Sequence, residues 1–260
     1  MNNASGHVVG VEFDFVDYDT VLETVGEWVD DGRQEVIAIT NPYSVLLCQR
    51  DEAFARATAD GALTLPDGVG VILAARLLGY AHNGRVTGPT LMLRLCERGC
   101  ERGWKHYFYG GREGVPQQLA QRLTTRFHGL QVVGTHSPPF RELTPEEDED
   151  AVQRINAAQP HVLWVGLGAP KQEKWIHTHR DRIDATVMIG VGAAFDFHSG
   201  NVPWTPAWIR AIGMEWLFRL CLEPRRMWRR NMDSLVFLAK VLQQKRSRAK
   251  RSSTPAPSDR

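Results

Sequence analysis

Apolar residues along this chain fall into short runs, separated by stretches in which they recur every three or four positions. The runs are Glu35–Thr40 (EVIAIT), Leu63–Leu65, His106–Tyr109 (HYFY), Gln131–Gly134, His161–Val165 (HVLWV) and Thr186–Gly190 (TVMIG). Several do not alternate apolar with polar, as expected of strands covered on both faces. Between them the period predicts helices near 42–58, 69–79, 88–102, 115–128, 145–157 and 170–181. Pro89, Pro116, Pro145 and Pro170 stand near four of the helix starts, where a missing N–H costs little. Thr144 followed by Glu146 and Glu147 fits a capped first turn. Strand and helix in alternation predict an α/β fold, a mainly parallel sheet with helices on both faces. Ligands of such sheets collect beyond the strand C-termini.

The pattern changes after about residue 202. Two helices are expected near 206–222 and 225–246, separated at Pro224, and then a basic, Ser/Pro-rich stretch that reads as a disordered tail. The chain thus divides into a core at 1–202, a basic amphipathic helical appendage at 203–246 and a tail at 247–260.

Composition adds two points. A chain of 260 residues with 43% hydrophobic content can bury one sizeable core. Its net charge of +1 conceals a segregation: residues 203–260 hold 13 Lys+Arg against 4 Asp+Glu, and residues 1–202 hold 18 against 26. The basic end is suited to an anionic partner. Four cysteines without a CxxC make no disulfide framework and fit a reducing cytoplasm. The N-terminus lacks a basic segment followed by an apolar stretch, so no signal peptide is expected. No apolar run approaches the roughly 18–20 residues that cross a bilayer, so membrane contact is expected to be peripheral.

The strand-to-helix junctions hold the polar and Gly-rich signals. Thr40-Asn41-Pro42 ends a strand and opens a helix whose free N–H groups would face an anionic ligand; equally, Asn41 would serve as a plain cap. In Leu65-Pro66-Asp67-Gly68, Asp67 stands where a carboxylate can act as a general base, or again as a cap. Tyr109-Gly110-Gly111-Arg112-Glu113-Gly114 allows a close backbone approach to phosphates but is not GxGxxG, and no GxxxxGK[ST] occurs. Gly166-Leu167-Gly168-Ala169-Pro170-Lys171-Gln172-Glu173 makes a tight turn into a helix. Its Gln172 both donates and accepts, as sugar hydroxyls require; the plainer reading is a helix start with solvated polar residues. Gly190–Asp196 (GVGAAFD) is a similar junction. The nine histidines assemble no metal-ligand spacing and no DxD stands at a strand end, so neither metal nor cofactor is expected. Near the C-terminus, EWLFRL and EPRRMWRR mix Trp, Phe and Arg, a composition suited to a lipid interface or to a pyrophosphate.

Together the stretches ITNPYSV, LPDGVGV, RVTGPTLM, FYGGREGV, VVGTHSPPF, VGLGAPKQEKW, IGVGAAFDFHSG and GMEWLFRLCLEPRRMWRR, in this order from about residue 7 to 240, resemble the WecG/TagA/CpsF family of glycosyltransferases. The resemblance implies a Rossmann-like catalytic core with a C-terminal helical appendage. It implies inverting, metal-independent transfer of a hexose or N-acetylhexosamine, such as N-acetylmannosamine, from a UDP-sugar to an undecaprenyl-diphosphate-linked sugar. That chemistry serves teichoic acid or cell-surface polysaccharide biosynthesis at the inner face of the membrane. By the same resemblance Asp67 is the general base and Asn41 lies in the active-site pocket. Gln172 stands at the sugar-nucleotide site and Arg85 near the nucleotide phosphates. Arg219, Arg226 and Arg229 close over the pocket and meet the acceptor diphosphate. The family commonly has Thr two residues before the junction Asn; here that position is Ile39, so either Thr40 is a substrate-binding residue from the shifted position or the hydroxyl is absent. The implied partners are donor, lipid-linked acceptor and an anionic membrane surface, with no nucleic acid and with a homo-oligomer left open. Two readings of other classes compete: an oxidoreductase on the same core, disfavoured by the poor glycine fingerprint, and a non-catalytic membrane-binding module, in which the junction residues are only caps.

Overall fold

The computed structural model describes residues 5–252 apart from Ile212 and Glu223. Six strands form one parallel sheet: β3 (Glu35–Thr40), β4 (Leu63–Pro66), β5 (Lys105–Gly110), β6 (Gln131–His136), β7 (Val162–Gly166) and β8 (Val187–Gly190), in the order β4-β3-β8-β7-β5-β6. Their unalternating apolar character has the expected cause, because both faces are covered. On one face Ile37, Leu65, Phe108, Trp164 and Ile189 pack against α1 (Tyr18–Asp30), α5 (Gly88–Arg102), α6 (Val115–Arg126) and α9 (Ala194–Ser199). On the other, Val36, Tyr109, Leu163, Val165 and Met188 pack against α7 (Pro145–Ala158) and α8 (Lys171–His179). The predicted α/β class and parallel sheet are both present.

Helix ends follow local chemistry. α7 opens with a capping box, the Thr144 and Glu147 side chains each bonding the other residue's backbone N–H. The helix expected over 42–58 is two, α2 (Pro42–Cys48) and α3 (Glu52–Ala59), because Asp51 accepts from Phe54 N and starts a new helix. The helix expected near 206–222 is also two, α10 (Ala207–Ala211) and α11 (Glu215–Leu222).

Three features are additions to the sequence reading. α1 is capped by Asp17 and buries Val21, Val25 and Trp28 at helical spacing. β1 (Ser5–Val8) and β2 (Val11–Asp14) form an antiparallel hairpin outside the main sheet, too short for a clear period-2 signal. Its two-residue turn places Val9 at φ 50° and Gly10 at φ 84°. A β-branched residue is costly there. Gln244 Oε1 accepts from Val9 N at 2.8 Å and Gln49 Nε2 donates to Val9 O at 2.8 Å, so the turn is held from both sides. The third addition is the length of the last helix: α12 (Pro224–Ser252) runs into the stretch expected to be a disordered tail from 247. Its middle is no loose extension. Phe237 and Val241 are buried with Val8, Phe13, Val45, Leu46, Val71 and Ala75, which forms a third cluster joining α12 to the hairpin, α2 and α4 (Val69–Leu77).

Candidate active site

The connections out of β8 and its neighbours part company. β8 leads into α9 on the first face, whereas β7 leads into α8 and β3 into α2 and α3, with α3 beside α8 on the second. Such divergence opens a crevice above the strand C-termini. Asn41 and Asp67 stand at its edge on neighbouring strands: Thr40 pairs with Pro66 across β3 and β4, and Asp67 N donates to Thr40 O at 2.9 Å. Asn41 is the N-cap of α2, its Oδ1 accepting from Ser44 N at 3.1 Å. Gly68, at φ 92°, makes the turn into α4, which therefore starts without a side-chain cap. Ile39 faces the first side of the sheet, next to Gly88 and Val191, and Thr40 is buried on the opposite side. Strand alternation forbids the two from exchanging positions.

Across the crevice, Gln172 is 5% exposed and turned inward. Its Oε1 accepts from Gly168 N at 3.1 Å and its Nε2 donates to Glu173 Oε1 at 3.0 Å. The amide fills the space beside Gly190 and Gly192, where a Cβ would come within 2.9 and 3.3 Å of it. These glycines are what let α8 seat a polar side chain between the β7 and β8 junctions. Glu173, absent from the sequence-derived candidates, is half-buried, and desolvation raises the pKa of its carboxyl above the ordinary value. Gly110 and Gly166 allow a second close approach; a Cβ on Gly110 would meet the Gly166 carbonyl carbon at 2.7 Å. At the outer rim Arg112 Nη2 lies 3.5 Å from Asp196 Oδ1.

The C-terminal segment lies over the β4 side of this edge. Arg85 Nη2 donates to the Arg210 carbonyl at 2.6 Å, and Nη1 lies 3.7 Å from Glu215 Oε2. Arg85 thus faces α10 and α11 in this structure. A side chain at Gly213 would come within 2.9 Å of Val69 Cγ2, so the α10–α11 turn touches α4 two residues beyond Asp67. Arg210 stacks over Trp204 at 3.7 Å, and Trp204 meets His198 edge-on with ring centroids 4.8 Å apart. His198 Nε2 donates to Pro89 O at 2.8 Å; burial lowers the pKa of His198 to about 4, the hydrogen bond opposing in part. The side chains of Arg219, Arg226 and Arg229 lie outside the described residues. Asn41, Asp67, Gln172 and Arg85 therefore share one edge of the sheet, and Arg85 belongs to the contact between that edge and the C-terminal segment.

Large apolar side chains are exposed beside this edge. They include Val69 and Leu73 of α4, Trp208 of α10, and Trp216 and Leu217 of α11, with Leu235 and Leu242 farther along α12. No helix among the described residues is long and apolar enough to cross a membrane. A cavity of about 430 Å³ lies elsewhere, between the hairpin, α3 and the start of β4, and Glu12, Asp14, Cys48 and Thr64 are among the residues that line it.

Residues 6–251 match the model of the glycosyl transferase WecG/TagA/CpsF family. Among similar proteins is an N-acetylglucosaminyldiphosphoundecaprenol N-acetyl-beta-D-mannosaminyltransferase of Bacillus spizizenii, 28% identical over 244 residues and covered to 92% in both chains. Proteins of the same name from Bacillus subtilis (27% identical; 90% of this chain, 87% of that one) and Staphylococcus aureus (27%; 94% and 95%) are also similar.

Proposed function

From the premise that the chain belongs to the WecG/TagA/CpsF glycosyltransferase family, we propose that it moves N-acetylmannosamine from its UDP derivative onto N-acetylglucosamine linked through a diphosphate to undecaprenol, in cell-surface polymer synthesis. The names of its relatives support this acceptor and this sugar. The observation that carries the site assignment is the placement of Asn41 and Asp67 on paired strand ends, at an edge of the sheet also occupied by Gln172 and Arg85.

The chemistry then runs as follows. Asp67 accepts the proton of the acceptor hydroxyl. The hydroxyl oxygen attacks the anomeric carbon from the face opposite UDP, the bond to the diphosphate oxygen breaks, and configuration inverts. A carboxylate of ordinary acidity suffices when its geometry is right. Arg85 and the N-termini of α2 and α4 offset charge on the leaving diphosphate, as preorganised dipoles do. Arg219, Arg226 and Arg229 meet the acceptor diphosphate. Asn41 and Gln172 hold the donor, and Thr40, buried beneath Asn41, supports that junction.

The enzyme works at the membrane surface, against an anionic leaflet. The exposed Val69, Leu73, Trp208, Trp216 and Leu217 enter the interface beside the site, and the basic C-terminal residues meet the lipid phosphates. The core and the helical segment from 203 act as one enzyme, the segment serving both as anchor and as cover.

The test is a panel of UDP-sugars by thermal shift, followed by transfer to a polyprenyl-diphosphate N-acetylglucosamine. UDP-N-acetylmannosamine is expected to stabilise the protein and be consumed; consumption of UDP-glucose alone would reassign the donor. Gln172→Ala is expected to weaken donor binding in calorimetry, and an unchanged affinity would remove Gln172 from the donor site.

A further inference from the structure

Glu173 is the third residue of α8, one position beyond Gln172. Its two carboxyl oxygens have different surroundings. Oε1 accepts from the Gln172 amide at 3.0 Å. Oε2 is buried and has no hydrogen-bond partner among the described residues. Leaving such an atom unpaired is costly, so a persistent orphan calls for an account. The adjoining Lys174 is already engaged, its Nζ 2.6 Å from Asp51 Oδ2, and Lys171 at the start of the helix is exposed. Along the same side of α8, His177 Nδ1 lies 2.6 Å from Asp60 Oδ2, which places this side of the helix against α3. The half-buried Glu173 therefore lies between the first turn of α8 and the elements that follow β3, its Oε2 out of reach of solvent, next to an amide that the glycines of the β8 junction admit.

We propose that Glu173 is a donor-binding residue of this site: Oε1 sets the orientation of the Gln172 amide, and Oε2 hydrogen-bonds a hydroxyl or N–H group of the bound sugar nucleotide. This rests on the reading that the donor occupies the crevice beside Gln172. Bonding to Glu173 and Gly168 uses one donor and one acceptor position of the Gln172 amide and leaves one of each for ligand. The pair then presents a fixed polar wall, and a sugar nucleotide supplies the partner that Oε2 lacks.

The experiment compares Glu173→Ala, Glu173→Gln and Gln172→Ala in steady-state transfer from UDP-N-acetylmannosamine to a soluble acceptor analogue, with melting temperatures of all three. Glu173→Ala is expected to raise the donor KM roughly tenfold, the scale of a lost hydrogen bond to a polar ligand, with kcat and the acceptor KM within about threefold. Glu173→Gln keeps an acceptor for the Gln172 amide and is expected to recover part of that loss. An unchanged donor KM in Glu173→Ala, while Gln172→Ala raises it, overturns this proposal alone. Unchanged donor KM in both sinks the donor placement with it. Donor and acceptor KM rising together in both Glu173 variants, in step with a lowered melting temperature, reduces Glu173 to a packing residue and also overturns the proposal.

Discussion

Residues 204–218 and residues 232–248 both leave the sheet and fold back over the molecule, yet they are fastened in different ways. The first stretch touches the rim of the site through the Arg85 contacts to the Arg210 carbonyl and Glu215, the Arg210–Trp204 stack and the Trp204–His198 contact. Its large apolar side chains Trp208, Trp216 and Leu217 are exposed. The second stretch inserts Phe237 and Val241 into a closed apolar cluster, and Gln244 bonds the backbone of the hairpin at His7 O and Val9 N. Apolar burial is proportional to area and holds whatever the ligand, whereas an ion pair 3.7 Å long such as Arg85–Glu215 is the weaker tie and can be exchanged for a phosphate. The comparison teaches that the C-terminal segment is anchored by apolar burial at its distal half and held by polar and ring contacts at its proximal half, beside the proposed site.

The strongest way to break this comparison is Phe237→Ala. It opens a cavity among Val8, Phe13, Val45 and Val71 and is expected to cost about 3–5 kcal/mol in urea unfolding. A loss below about 1 kcal/mol would show the distal half to be no more fixed than the proximal one. The same reasoning bears on truncation: removing the chain after Gly200 strips Phe237 and Val241 from the core, so the remaining domain is expected to unfold more readily.

Asp67→Asn separates site from scaffold. Turnover is expected to fall at least ~100-fold, the usual scale for a general base, with the melting temperature and UDP binding nearly unchanged. Near-normal transfer at saturating substrates would remove Asp67 from its assigned role.

Acid loosens the proximal attachment. An unfolded histidine titrates near 6.5, whereas folded His198 is lowered to about 4 by burial. Between these values the unfolded chain binds the extra proton, so stability that is complete above about pH 6.5 falls as pH drops towards 4. The contribution is on the order of 2 kcal/mol. Burial lowers His106 further, to about 3, so it acts over the same range; the comparison of wild type with His198→Gln isolates the part of His198. Melting curves at pH 7 and pH 4.5 are expected to be less far apart in the variant, and equal separations would refute the assignment.

In the C-terminal segment the smaller expected effect on stability is that of Arg85→Ala, about 1–2 kcal/mol, from a lost hydrogen bond to the Arg210 carbonyl and a long ion pair with Glu215. Activity on a soluble acceptor is nevertheless expected to fall about tenfold, since Arg85 holds the α10–α11 turn at the site and faces the donor phosphates in the proposed mechanism. A stability loss as large as that of Phe237→Ala would erase the distinction between the two halves.

Much of the scaffold was legible because it depends on near neighbours in sequence. All six strands of the sheet fall on the expected runs, and α5 spans the expected 88–102. α1 carried its own signal in Asp17, Val21, Val25 and Trp28, whereas the four-residue strands of the hairpin are too short to show a period. The split of 42–58 was encoded in Asp51, a cap that interrupts an otherwise continuous helical pattern. In the site, the positions of Asn41 and Asp67 follow from strand ends. Glu173 was missed because Lys171-Gln172-Glu173 looks like any solvated first turn.

By itself the sequence determined the order of strands and helices, the placement of polar residues at their junctions and the segregation of basic charge beyond residue 202. Those properties arise from spacings of two to four residues and from composition. Only the tertiary structure decided which way Gln172 turns, that one carboxyl oxygen of Glu173 is buried and unpaired, that Arg85 meets Arg210 and Glu215, and that Phe237 and Val241 belong to the core. Each of these depends on groups distant in sequence: Gly190 and Gly192 make room for the amide, and the hairpin at the other end of the chain closes over α12. A polar side chain is drawn inward or left in water according to the partners that the fold brings to it, and no local pattern records those partners.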